Sequence, residues 1–116
     1  MATRIEAVAT SHPRGRRLGR GALHLSDLAA EMCLARAHRD PSELDLLVNV
    51  GLYKDHSIAE PALASIIQED VGANPSRRAS PGRHGTFSFD LVNGGVGMLT
   101  AAEVIDGFVG DGPARL

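Results

Sequence analysis

The stretch that decides the fold is TFSFDLV (Thr86 to Val92), followed by NGGVG (Asn93 to Gly97) and MLTAAEVIDGFV (Met98 to Val109). Phe87, Phe89 and Leu91 alternate with Ser88 and Asp90, the period of a strand with one buried face. Asn93 to Gly97 reads as a sharp turn, and a helix follows to about Val109. On a helical wheel Val96, Met98, Leu99, Ala101, Ala102, Val104, Ile105, Phe108 and Val109 spread over most of the circumference. Thr100, Glu103, Asp106 and Gly107 form the only polar strip. A helix lying on one face of a sheet needs an apolar arc of about 100°. This one is expected to pack on more than one side.

Working outward, strand and helix alternate. Ile5 to Thr10 is a short β-prone run that stops at Ser11-His12-Pro13, and Pro13 to Gly21 is a basic, glycine-punctuated loop. Ser26 reads as the N-cap of a helix over 27–38, with Leu28, Met32 and Ala35 inward and Ala29 and Cys33 on the flank. Leu44 to Val50 is a nearly continuous apolar run, which suits a strand covered on both faces of a parallel or mixed sheet. Ser57 and Glu60 form a capping box, with Pro61 in the first turn of the helix that follows. Leu63, Ile66 and Ile67 face inward, and Gly72 ends that helix. Ala73 to Gly85 is a polar, proline-broken loop. The order β-α-β-α-β-α predicts an α/β fold.

Composition narrows the function classes. The chain has 116 residues, 43% hydrophobic and 22% charged, the make-up of one ordinary globular unit. Its four aromatics, Tyr53, Phe87, Phe89 and Phe108, are too few for a base-stacking platform, so no nucleic-acid partner is expected. The net charge of −2 gives no pull toward acidic membranes, and no apolar run approaches the length of a span. No signal-peptide stretch is expected, because Arg4 and Glu6 interrupt the N-terminal apolar run. With Cys33 the only cysteine, a reducing cytoplasm is the expected compartment. Basic residues cluster at the start, where Arg14, Arg16, Arg17 and Arg20 suit either a phosphate or acidic-carrier contact or a solvated loop.

The motifs at the elbow exclude more than they assign. A helix N-terminus offers free N–H groups, and glycines allow close approach. Yet Gly95 to Thr100 lacks the third glycine of a dinucleotide fingerprint, no Gly-Lys-Ser/Thr of a P-loop follows, and Val96 stands where an esterase elbow has serine. His12, His24, His38, His56 and His84 show no metal-ligand spacing. Cys33, mid-helix with no base nearby, reads as a small buried hydrophobe.

In ordered series, several landmarks resemble the N-terminal half of the thiolase superfamily, in its 3-oxoacyl-acyl-carrier-protein synthase III branch. They are Ser26-Asp27-Leu28-Ala29-Ala30, Asp45 to Val50, Glu60 to Ala64 with Ile67-Gln68, Val71-Gly72-Ala73, and Phe89-Asp90-Leu91 leading to Gly97. The match covers Leu25 to Val109, with Ile5 to Thr10 as a first strand. The resemblance implies a β-α-β-α-β-α portion of a thiolase-fold half with a mixed sheet. Residues 1–24 would form a strand and basic loop, and residues 25–116 the α/β core.

Members of that family move an acyl group from coenzyme A or a phosphopantetheine thioester to a cysteine at the N-terminus of the elbow helix. Counted from Phe89-Asp90, that cysteine falls at Gly95, or at Val96 with a one-residue shift, so the elbow Asn93, Gly94, Gly95, Val96, Gly97 holds no nucleophile. The family's histidine and asparagine lie in its second half, His84 is no substitute, and the coenzyme A segment is shortened to Pro13–Gly21. The implied reading is a synthase-type component inactive by itself, with no covalently bound cofactor. The alternatives are a non-catalytic subunit packed on an active thiolase-fold chain, or a small acyl- or coenzyme A-binding protein. The implied partners are a thiolase-fold chain in a homo- or hetero-oligomer and an acyl carrier protein.

Overall fold

The computed structural model describes residues 3–12, 21–51, 61–73, 85–112 and 114–116. Along them run α1 (Ala22–Ala37), a 3-10 turn at Pro41–Glu43, β1 (Leu46–Asn49), α2 (Leu63–Asp70), β2 (Phe87–Asp90), a 3-10 turn at Gly94–Val96 and α3 (Gly97–Gly110). β1 and β2 pair in parallel, Leu46 opposite Phe87 and Asn49 opposite Asp90. A parallel pair needs a crossover, and α2 lies in that connection, as the alternating pattern requires. The α/β expectation holds, with strands shorter than the sequence runs and β1 half-buried along its whole length.

The core sits where α2 meets the sheet. Ile67, Val71 and Ala73 are buried, and Leu23 and Ala30 of α1 and Leu44 and Leu47 beside the sheet pack against them. Leu63 and Ile67 face inward as expected, while the other buried positions of α2 are Ala64 and Gln68. Gln68 is polar and bridges to β2: its Nε2 donates to the Thr86 carbonyl at 2.8 Å, and Ser88 Oγ donates to its Oε1 at 2.5 Å. Gly72 ends the helix at φ +78°, with Ala73 N–H reaching the Gln68 carbonyl and Gly72 N–H that of Glu69. This is a Schellman closure, and it requires the left-handed residue that glycine supplies.

The start of α2 corrects the capping-box expectation. Ser57 and Glu60 lie outside the described residues, and the helix opens at Leu63, with Ala62 as a cap that makes no side-chain bond. Its first free N–H groups go instead to a residue of β2. Asp90 Oδ2 accepts from Leu63 N at 3.0 Å, and Asp90 Oδ1 accepts from Ala64 N at 2.9 Å and from Asn49 Nδ2 at 3.1 Å. A cap supplied from a distant strand leaves no local trace in the helix sequence.

Three further expectations change. α1 begins at Ala22 behind Gly21, without a side-chain cap, so Ser26 lies inside it. Ala22 to Leu25 contains good helix formers that extend the helix backward. The expected inward face fails as well, since Met32 is 40% exposed while Leu23 and Ala30 make the contact. Ile5 to Thr10 forms no strand, because α1 side chains take its carbonyls. Arg36 Nη1 donates to the Val8 carbonyl at 2.7 Å, and Cys33 Sγ lies 3.5 Å from that of Ala7.

After α3 the chain returns to the sheet, where Asp45 N and Leu46 N donate to the Leu116 carbonyl. Among the described residues no helix is long and apolar enough to cross a membrane.

Replacing Asp90 with alanine strands two helix donors and the Asn49 amide. Urea unfolding should show a loss of about 2–3 kcal/mol, with Asn49→Ala costing about 1 kcal/mol. A loss under about 0.5 kcal/mol for Asp90→Ala would show that the carboxylate is not the cap.

Candidate functional site

The elbow begins where the ladder ends. Leu91 N donates to the Asn49 carbonyl at 2.8 Å, after which the chain leaves the sheet. Gly94 turns it at φ +51°, in the left-handed region that favours glycine. Val96 N closes a 3-10 turn on the Asn93 carbonyl at 3.3 Å, and Gly97 opens α3. The turn expected between Asn93 and Gly97 is therefore present.

The glycines of this turn do different jobs. A Cβ on Gly97 would lie 3.5 Å from Val50 Cβ and 3.7 Å from the Val50 carbonyl oxygen, so its small size lets α3 start against the end of β1. Gly97 is buried. Gly95 is exposed, and a Cβ there would meet nothing within 4 Å. Its φ lies outside the left-handed region. The backbone thus accepts a side chain at the position the family resemblance gives to its nucleophile.

The start of α3 carries no side-chain cap. Asn93 Nδ2 instead donates to Thr100 Oγ1 at 2.8 Å, and Thr100 Oγ1 donates back to the Val96 carbonyl at 3.2 Å. The 3-10 turn itself takes the first donors, Val96 N on the Asn93 carbonyl and Gly97 N on the Gly94 carbonyl, and the positive end of the helix dipole lies at this turn. What the elbow lacks is a reacting atom, because Asn93 alone among residues 93–97 has a polar side chain.

Other predicted residues fall elsewhere. Arg14, Arg16, Arg17, Arg20, His56 and His84 lie outside the described residues. His12, His24 and His38 are exposed, and no three His, Cys, Asp or Glu side chains among the described residues are placed to hold a metal. Glu6 joins Arg4 and Arg39, and Arg39 also reaches Glu43. The hydrogen bond from Arg39 holds the Glu6 carboxyl below its ordinary range. Sequence reading missed the cap role of Asp90 and the placement of Asp27. For Asp27 a signal exists in the i, i+4, i+7 series Leu23, Asp27, Ala30, which shares one helix face.

α3 is covered on one side only. Among its residues Gly97 and Ala101 are buried. Phe108 meets Phe89 and Phe87 with ring centroids 6.5 and 6.3 Å apart, tying the helix to the sheet face. Met98 is 76% and Leu99 73% exposed, beside Val92 at 71% and Val96 at 53%.

No family model and no curated protein matches the chain. Solved structures do. The 3-oxoacyl-[acyl-carrier-protein] synthase III of Aquifex aeolicus superposes with a TM-score of 0.66 at 23% identity, covering 82% of this chain and 27% of that one. A variant of OleA from Xanthomonas campestris, bound with cerulenin, gives 0.68 at 19% identity, covering 85% and 27%. Both are thiolase-superfamily proteins. The chain has the fold of part of such a protein and spans about a quarter of each in length.

A Cβ on Gly97 would make ordinary contact with Val50, so alanine fits there and a longer side chain does not. Gly97→Ala should hold stability level or raise it by up to about 1 kcal/mol. Gly97→Leu should cost about 1–3 kcal/mol by driving α3 from Val50. Thermal unfolding of the two variants measures the difference.

Proposed function

We propose that this chain is a non-nucleophilic portion of a 3-oxoacyl-acyl-carrier-protein synthase III-like acyltransferase, inactive in acyl transfer by itself. The observation that carries this reading is the elbow. It keeps a helix end without a side-chain cap and a glycine-built turn, with Gly95 and Val96 where the resemblance puts the cysteine. A thiolate at a helix N-terminus gains from the dipole, which is the physical reason for a cysteine in that place. Glycine and valine have no atom that can attack a thioester. Coenzyme A or phosphopantetheine thioesters are then ligands of the assembled protein, with an acyl carrier protein as a partner.

The exposed apolar surface favours the form in which the chain packs on a thiolase-fold partner. Val92, Val96, Met98 and Leu99 stand exposed around the elbow, at 71%, 53%, 76% and 73%.

Incubated with acyl-coenzyme A donors, the purified chain should show no mass increase for an acyl group. Gly95→Cys should fold, since nothing crowds a Cβ there, and should label with a thiol reagent faster than free cysteine does. Acylation of the native chain would overturn the inactive reading. A Gly95→Cys thiol of ordinary reactivity would remove the elbow from consideration as a nucleophile site.

Packing on a partner predicts association in solution. At tens of micromolar the chain should sediment above monomer mass or bind a hydrophobic dye. The double change Met98→Glu, Leu99→Glu should abolish both without lowering stability by more than about 0.5 kcal/mol. A monomer that binds no dye would sink the docking face.

A further inference from the structure

The face of α1 that meets α2 carries a carboxyl where packing calls for an apolar group. Leu23 and Ala30 contact the Ile67, Val71 and Ala73 cluster, and Asp27 lies between them on the same face. Its Oδ1 is enclosed and has no hydrogen-bond partner. Across the interface stands Asp70, the last residue of α2. That position is the negative end of the helix dipole, with no basic residue in the last turn. An ionised Asp27 would keep an enclosed, unpaired oxygen beside the exposed Asp70 carboxyl, so the protonated form of Asp27 is the low-energy state.

The charged groups acting on Asp27 are Asp70 from α2 and Glu31 from its own helix, all acidic. Neighbouring Glu69 on α2 and His24 on α1 are exposed. From the segment 3–12, Arg4 pairs with Glu6, and Glu6 pairs with Arg39 just past the far end of α1. No described cation is placed to replace the proton. α1 is also a weakly held helix, with no fully buried residue along its sixteen positions.

We propose that the contact between α1 and α2 is a proton-operated latch, in which Asp27 holds a proton in the folded chain and its loss to solvent releases α1 together with the segment 3–12. That segment travels with α1 because α1 holds it. Arg36 binds the Val8 carbonyl, Ser11 Oγ donates to the Leu25 carbonyl at 2.5 Å, and Arg39 pairs with Glu6.

Burial first, then the hydrogen bond with Asp70, then the charges of Asp70 and Glu31 push the Asp27 carboxyl from 3.8 up to about 7. The folded chain therefore keeps a proton that the unfolded chain has shed above its ordinary value. Stabilisation by the latch is full below about pH 4, falls as pH rises toward 7, and is gone above that.

The test uses the full chain. Hydrogen-exchange protection of α1 amides, corrected for intrinsic rates, should fall roughly ten- to a hundredfold between pH 5 and pH 8, while α2 changes less. The Asp27 carboxyl carbon, followed by NMR, should titrate near 7 with the same midpoint. Asp27→Asn keeps the shape without the charge and should give α1 protection independent of pH. Native α1 protection that is flat with pH, or an Asp27 midpoint below 5, would overturn the latch even if the variant fails to fold.

Discussion

The carboxylate of Asp90 ties together three chain segments that are far apart in sequence. Through Oδ1 and Oδ2 it holds the first two N–H groups of α2 and the Asn49 amide at the end of β1, while its own backbone ends β2. Each bond is charge-assisted, and the helix start adds a favourable dipole term. A parallel strand pair with a short crossover helix has no hairpin to fix its register. Here the register is fixed by a side chain, because Asn49 stands opposite Asp90 only in the observed pairing. A slip of one residue would also turn Phe87 and Phe89 away from Phe108.

The elbow inherits its position from that anchor. With β2 pinned at Asp90, the turn at Asn93 to Gly97 starts from a fixed point and must bring α3 back against Val50. Gly94 provides the left-handed turn and Gly97 the close approach, so two glycines answer to geometry. Gly95 answers to neither. Its freedom from steric demand makes the missing side chain a chemical difference from the synthase pattern, with no structural demand to account for it.

Much of this was legible. The alternation around Phe87 and Phe89, the closure at Gly72 and the apolar spread of α3 are local patterns, and local patterns are what a sequence displays. The resemblance built on Phe89-Asp90-Leu91 also led to the right fold. What failed was non-local. The α2 cap comes from Asp90, 27 residues beyond Leu63, so no residue near the start of the helix announces it. The strand expected at Ile5 to Thr10 has the right composition, but its carbonyls are taken by Arg36 and Cys33 of a helix the strand pattern does not mention. For α1, apolar residues on several sides let the wheel choose the wrong face.

The empty elbow and the uncovered helix belong to one surface. Val96 and Met98 flank Gly97, and Val92 precedes the turn, so the exposed apolar patch surrounds the open N-terminus of α3. In water the dipole of that helix end is heavily screened. A chain that buried Val92, Val96, Met98 and Leu99 would also exclude water from the elbow, and the helix dipole would then act on charge in a lower dielectric. Burying the patch is favourable at about 25 cal/mol for each apolar Å² removed from water. The apolar contact would thus drive association, and association would raise the electrostatic strength of the helix end.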